Sequence, residues 1–211
     1  MRPEILTFVL GPLANNTYLL ADPQSGEAVV IDPSFSPHAV LEAAAERGWQ
    51  VKQIWLTHAH FDHIAGVGCL AASAIPFLPV GLHPDDLDLY DRRGEADTFG
   101  VPMDDLPRPT LLFKDGQRLK VGQVEVEVRH APGHTRGHVL FYAPAAEALL
   151  CGDVIFAGSV GRTDLPGGSH AQLLDSIRRQ VLSLPPQTVL LAGHGEPSSV
   201  GQEAEDNPFL S

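Results

Sequence analysis

Thr57-His58-Ala59-His60-Phe61-Asp62-His63 places three imidazoles and a carboxylate in the six residues from His58. Just before it, Gln53-Ile54-Trp55-Leu56 is an apolar run of the length of a buried strand. Just after it, Ile64 to Ala72 reads as a helix weakened by Gly66 and Gly68. The stretch is therefore predicted as the loop at the carboxyl end of a strand, where open α/β sheets place their sites. A lone histidine is ordinarily a surface or satisfied core residue, and Asp62 alone would serve as a helix cap. Four such residues at His-x-His-x-Asp-His spacing point instead to metal. Neutral imidazole is the commonest metal ligand, and carboxylates suit harder divalent ions.

This stretch resembles the signature of the metallo-β-lactamase superfamily. The resemblance implies where further ligands should fall. A histidine is expected after a Pro-Gly turn, and Ala131-Pro132-Gly133-His134 fits. An aspartate is expected after a glycine at a strand end, and Leu149-Leu150-Cys151-Gly152-Asp153 fits. A last histidine is expected in a Gly-His-Gly turn, and Ala192-Gly193-His194-Gly195 fits. All come in the expected order across nearly the whole chain.

The 211 residues suit one domain, with 44% hydrophobic residues to supply a core. The net charge of −12 argues against a broad nucleic-acid surface. It leaves anionic substrates open, because a dinuclear centre brings its own positive charge. No apolar run approaches the roughly 20 residues of a membrane span. The start of the chain lacks the long apolar core of a signal peptide. Cys69 and Cys151, the two cysteines, sit in apolar stretches and read as buried thiols, which points to the cytoplasm.

Ile5 to Leu10, Thr17 to Ala21 and Glu27 to Ile31 read as strands separated by turns. Asp32, before Pro33, is either a turn residue or a support of the metal loop. Ser36 to Arg47 is predicted as a helix capped by Ser36 and stopped by Gly48. Ile75 to Val80 is predicted as a strand, Asp85 to Tyr90 as a surface helix, and His83 as structural. Gly94 to Pro109 shows no period and is read as a long connection bordering the site. Val124 to Val128 alternates strictly, and Gly137 to Tyr142, Ala148 to Cys151 and Thr188 to Ala192 follow as strands. Ser169 is predicted to cap a helix over His170 to Leu184, and Ser198 to Asp206 to form a closing helix. His130 and His138 are candidates to stand behind the ligands, and His38 and His170 read as surface residues. The pattern implies two packed sheets covered by helices. The resemblance names this the four-layer αβ/βα metallo-β-lactamase sandwich, two mixed sheets with helices outside, over residues 1–211 as one domain.

The resemblance implies that His58, His60 and His134 hold one metal, that Asp62, His63 and His194 hold the second, and that Asp153 bridges them. Asp62 and Asp153 are thereby the catalytic carboxylates. Two divalent ions are expected, zinc first, iron or a zinc–iron mixture otherwise. Such a centre implies hydrolysis by direct attack of a metal-bound hydroxide. The aspartate in Gly152-Asp153 and the run Gly161-Arg162-Thr163-Asp164-Leu165-Pro166-Gly167-Gly168 resemble the short bacterial glyoxalase II-like branch. A small-molecule thioester is then the expected partner, S-2-hydroxyacylglutathione first, with Arg162 and Arg136 as candidates to grip its carboxylates. Full-length glyoxalase II has a C-terminal helical domain for glutathione that this sequence lacks, which leaves the thiol carrier open. The alternative is an iron-dependent persulfide dioxygenase of the same fold, holding iron through His58, His134 and Asp153. Oligomeric state is not legible.

Overall fold

Side chains along a strand alternate between its two faces, and here that alternation sorts the apolar residues into three layers. The computed structural model describes residues 2–210. The first sheet runs β1 (Glu4–Leu10), β2 (Asn15–Asp22), β3 (Glu27–Ile31), β4 (Gln50–Trp55), β5 (Val80–Leu82) and β6 (Leu111–Leu112), side by side in that order. Next come β7 (Arg118–Val121), β8 (Val124–His130), β9 (Val139–Ala143) and β10 (Ala148–Gly152). A small hairpin, β11 (Ile155–Phe156) and β12 (Ser159–Val160), stands apart, and β13 (Val189–Ala192) and β14 (Ser198–Ser199) follow. The second sheet is ordered β14-β13-β10-β9-β8-β7. Both sheets are mixed: β3 pairs parallel with β4 and β10 with β13, while β1–β2 and β8–β9 are antiparallel.

Tyr18, Leu20, Val29, Ile31 and Trp55 of the first sheet meet Val126, Val128, Phe141 and Leu150 of the second in the central layer. Their neighbours Leu19, Ala21, Val30 and Ile54 face the other way, onto Val40 and Ala44 of helix α1 (His38–Glu46) and Ile64 and Leu70 beyond it. On the far side, Leu140, Leu149 and Cys151 pack under Leu173, Ile177 and Val181. The result is the expected sandwich, helix–sheet–sheet–helix. Each layer removes large apolar side chains from water at about 25 cal/mol per Å². No helix among the described residues is long and apolar enough to cross a membrane.

Several local expectations are corrected. Asp62 and His63 lie not in a loop but on a one-turn helix, α2 (Phe61–Ile64). The helix predicted through Ala72 breaks after it and resumes as α3 (Val67–Ala71). Gly66 sits at the break, where an added Cβ would lie 2.3 Å from the Ser34 carbonyl. Ser36 has φ 53° and no capping bond, so α1 starts at His38. Ile75 is exposed, and the strand predicted from it is only Val80–Leu82. The acidic segment forms a 3₁₀ turn, Pro84–Asp86, and then α4 (Leu87–Asp91). Gly94 to Pro109 begins in a 3₁₀ segment, Arg93–Phe99, and is otherwise irregular. The predicted long helix is α5 (His170–Ser176), capped by Ser169 as expected, running into a π turn over Ile177–Val181. The closing helix is α6 (Val200–Asp206). Cys151 is buried, but Cys69 is half-buried.

Candidate metal centre

The carboxyl ends of β4, β8, β10 and β13 all reach one edge of the sandwich. β4 delivers His58 and His60, with Asp62 and His63 on α2 directly after. β8 leads through Pro132-Gly133 to His134, β10 to Asp153 and β13 to His194. Two backbone positions are cut to fit. Gly152 has φ +47°, and a Cβ there would meet Thr57 Oγ1 at 2.4 Å. A Cβ at Gly193 would meet Asp153 Oδ1 at 2.2 Å.

The structure brings all seven expected ligands together. One nitrogen each of His58, His60 and His134 lies within 4.8 Å of the others, as does one atom each of Asp62, His63 and His194. Asp153 stands between the clusters, 3.6 Å from His134 Nε2, 3.3 Å from His63 Nε2 and 3.8 Å from His194 Nε2. His194 Nε2 is 3.1 Å from Asp62 Oδ2.

The outward side of four of the five ligand-cluster rings is occupied. His63 Nδ1 bonds Asp32 Oδ2 at 3.0 Å, His134 Nδ1 donates to the Arg162 carbonyl at 2.8 Å, and His194 Nδ1 donates to the Leu13 carbonyl at 3.1 Å. Thr57 Oγ1 donates to Asp32 at 2.6 Å and lies 3.0 Å from His58 Nδ1, which it leaves as the donor. These bonds fix tautomers that aim the other ring nitrogen inward. The inward atoms His58 Nε2, His63 Nε2 and Asp153 Oδ1 are buried with no hydrogen-bond partner. His60 Nδ1, by contrast, donates to His134 Nε2 at 2.8 Å. Buried polar atoms without a partner are costly unless satisfied. A set of unpartnered nitrogens and carboxylate oxygens aimed at common points is what two divalent ions require.

The charges follow from burial and neighbours. Burial holds His58 far below its ordinary range, reinforced by the imidazoles around it. Burial also pushes His60 down to about 3. His63 goes the other way: against its burial, Asp62 and Asp153 raise it well above the ordinary histidine range. Burial would raise Asp153, yet His63, His134 and His194 hold it ionised.

Asp32 touches the ligand loop through both oxygens, accepting from Thr57 N at 2.7 Å as well as from Thr57 Oγ1 and His63. Of its two sequence readings, the structure shows the support of the metal loop. His138 is also part of the centre. It is fully buried, stacks on His58 at 4.7 Å, and its Nε2 accepts from Asp153 N at 3.1 Å. His130 turns away, stacking on His83 and bonding the Arg136 carbonyl. His38 and His170 are exposed.

Asp86 was missed by sequence reading, which left it in an acidic surface helix. It is buried and accepts from Ala59 N at 3.1 Å, Thr135 Oγ1 at 2.7 Å and Gly137 N at 2.6 Å. One carboxylate thus ties the His58–His60 loop to the His134 loop. Its neighbours in sequence, Asp85 and Asp88, give no sign of this; only the His-Pro start of the 3₁₀ turn marks where the chain bends inward.

A cavity of about 690 Å³ opens over the clusters. Arg162 lines it, its guanidinium bound in bidentate fashion to Asp164 at 2.7 and 2.8 Å. Arg136 does not line it. It is exposed, packed by Gly167 beside Asp85 and Asp88 in a separate hollow. Thr135 and Gly137 are fixed inward on Asp86, which leaves the residue between them facing out.

The sequence profile described as the metallo-beta-lactamase superfamily matches residues 10–194. The hydroxyacylglutathione hydrolase GloC of Haemophilus influenzae is 34% identical over 87% of this chain and 87% of its own. The crystal structure of TTHA1623 in a di-iron-bound form is 41% identical, with TM-score 0.88 over 97% of this chain and 100% of that one. The crystal structure of BLEG-1 B3 metallo-beta-lactamase is 35% identical, with TM-score 0.89 over 99% of this chain and 100% of that one. Matched in sequence and in fold, the chain belongs to the metallo-β-lactamase superfamily.

Proposed function

We propose that this chain is a metal-dependent thioester hydrolase of the glyoxalase II type, acting on 2-hydroxyacyl thioesters. The observation that carries the reading is Asp153, an ionised carboxylate held between two three-ligand clusters and facing histidines of both. His58, His60 and His134 would hold one divalent ion, Asp62, His63 and His194 the other, with Asp153 shared, and zinc, iron or a mixture suits these ligands. Bound ions of this kind lower the pKa of water towards ~7 and polarise a carbonyl oxygen, which is the chemistry of hydrolysis without a covalent enzyme intermediate.

The chain's own residues supply position and charge. Burial would raise Asp62, but His63 and His194 keep it ionised as a ligand. Asp32 and the Arg162 carbonyl fix ring orientation and His138 holds the Asp153 backbone, so the ligand atoms need not reorganise. Cys151 is no rival nucleophile: its thiol donates to the Leu149 carbonyl, and burial raises its pKa. Support for a thioester comes from the relative named hydroxyacylglutathione hydrolase. S-D-Lactoylglutathione hydrolysis by the zinc- and iron-loaded protein is the first assay, run beside oxygen consumption with glutathione persulfide. Thioester cleavage without oxygen uptake is expected. Oxygen uptake with no hydrolysis would replace the reading by the persulfide dioxygenase.

A further inference from the structure

The cavity wall around the metal centre is apolar. Leu13, Phe99, Val101, Phe156, Val160 and Leu165 line it. Leu13 and Phe99 are about half exposed, 51% and 49%, although both are large apolar side chains. Phe99 packs on Phe61 at 5.3 Å, and Phe156 stands 6.3 Å from the His194 ring. Residues at a rim that keep such surface in contact with water suit an apolar ligand that covers it.

The charge on the same wall is unsuited to anions. Among the described residues, Arg162 is the one Lys or Arg lining the cavity. One edge of its fork, Nε and Nη2, is taken by Asp164, whose carboxylate offsets the charge. Arg92 and Arg93, at the start of the 3₁₀ segment that carries Phe99, pair with Glu95 and Asp105. Glutathione brings two carboxylates and an ammonium. Each guanidinium here already faces a carboxylate that offsets its charge, and moving ionised groups against an apolar wall is costly without a partner.

Resting on the thioester reading above, we propose that the cavity selects thioesters whose thiol portion is apolar and uncharged over those of glutathione. The rim side chains Leu13, Phe99 and Phe156 hold that portion, while the acyl carbonyl sits over the ligand clusters.

The test compares S-D-lactoylglutathione with the lactoyl thioester of benzyl mercaptan, using the metal-loaded protein. Each kcat/KM is divided by the substrate's own rate with hydroxide, which removes the difference in leaving group. The apolar thioester is expected to win by on the order of 10-fold or more. Equal or better use of the glutathione thioester overturns the inference and leaves the hydrolase reading standing. If neither is cleaved, the hydrolase reading falls, and calorimetry with inert thioethers decides the inference. Benzyl 2-hydroxyethyl sulfide should then bind more tightly than S-benzylglutathione, and the reverse order overturns it. Two variants sharpen the result. Phe99→Lys, at an exposed position, should erode the preference. Asp164→Ala, which frees the Arg162 guanidinium, should raise kcat/KM for the glutathione thioester several-fold and leave the apolar one unchanged. A preference indifferent to both variants would place selection away from this wall and sink the proposal.

Discussion

The two ligand clusters share one aspartate but hold their protons in opposite ways. His58 and His60 are buried among imidazoles, and burial with mutual repulsion keeps both neutral. His63 and His194 are set among carboxylates, which raise both above the ordinary histidine range against the effect of burial. The first cluster therefore offers lone pairs at neutral pH. The second is held together, before any ion arrives, by charge pairs among its own ligands: His63 with Asp153 and Asp62, and His194 with Asp62. An ion entering the first displaces one neutral hydrogen bond, His60 to His134, whereas an ion entering the second must expel a proton and replace those charge pairs.

The largest expected effect tests whether the clusters are one unit. Asp153 reaches both, so Asp153→Ala should lower kcat by at least ~10³, the factor that several kcal/mol of lost stabilisation represents. Metal content should fall from two ions to one or none by elemental analysis. Two ions retained with full activity would make Asp153 a bystander and the clusters independent.

Proton release tests the comparison itself. The folded-state pKa of His63 is raised, so the metal-free chain keeps that proton at pH 7. Zinc titrations in buffers of different ionisation enthalpy should show more protons leaving with the second equivalent, from His63 and His194, than with the first. Affinity for the second ion should rise from pH 6 to 8 and fall in acid. The same sign governs metal-free stability. The His63 contribution is fully present below the unfolded value near 6.5 and is lost as pH rises through the raised folded value. Greater proton release with the first equivalent would reverse the assignment.

A smaller effect separates the supports of the two clusters. Asp32 holds His63, so Asp32→Asn should weaken the second ion by about 10–100-fold and the first by less. Asp86 ties the His58–His60 loop to the His134 loop, so Asp86→Asn should weaken the first ion preferentially, by a similar factor. Identical profiles from both variants would show that the clusters tighten and loosen together.

What was legible in the sequence follows from locality. The Thr57–His63 stretch was readable because residue type and close spacing carry the signal, and the resemblance it carries pointed to His134, Asp153 and His194 at later strand ends. The layers were readable because Val124 to Val128 and its counterparts alternate with period two. Asp86 was not readable, because its partners lie 27 to 51 positions away and its own surroundings are acidic. His138 looked like one of several spare histidines until the fold stacked it on His58. Arg136 looked close to the site by spacing from His134, yet a two-residue offset was enough to turn it outward. Ile75 read as a strand because apolar residues surround it, but only tertiary pairing decides where β5 begins, at Val80.

Arg162 carries the smallest expected effect. Its backbone carbonyl, not its side chain, anchors His134, so truncating the side chain leaves that bond in place. Its guanidinium is exposed and paired with an exposed aspartate, where solvent screens the attraction and the pair adds little stability. Arg162→Ala should therefore keep both metal ions and lower Tm by no more than about 4 °C. With the guanidinium already engaged by Asp164, kcat/KM should change by less than about threefold on apolar and anionic thioesters alike. A rise in KM confined to anionic thioesters would show that the guanidinium leaves Asp164 to meet a substrate carboxylate, restoring the grip expected from sequence. A uniform loss together with lost metal would show instead that the Arg162–Asp164 pair braces the loop carrying the His134 anchor.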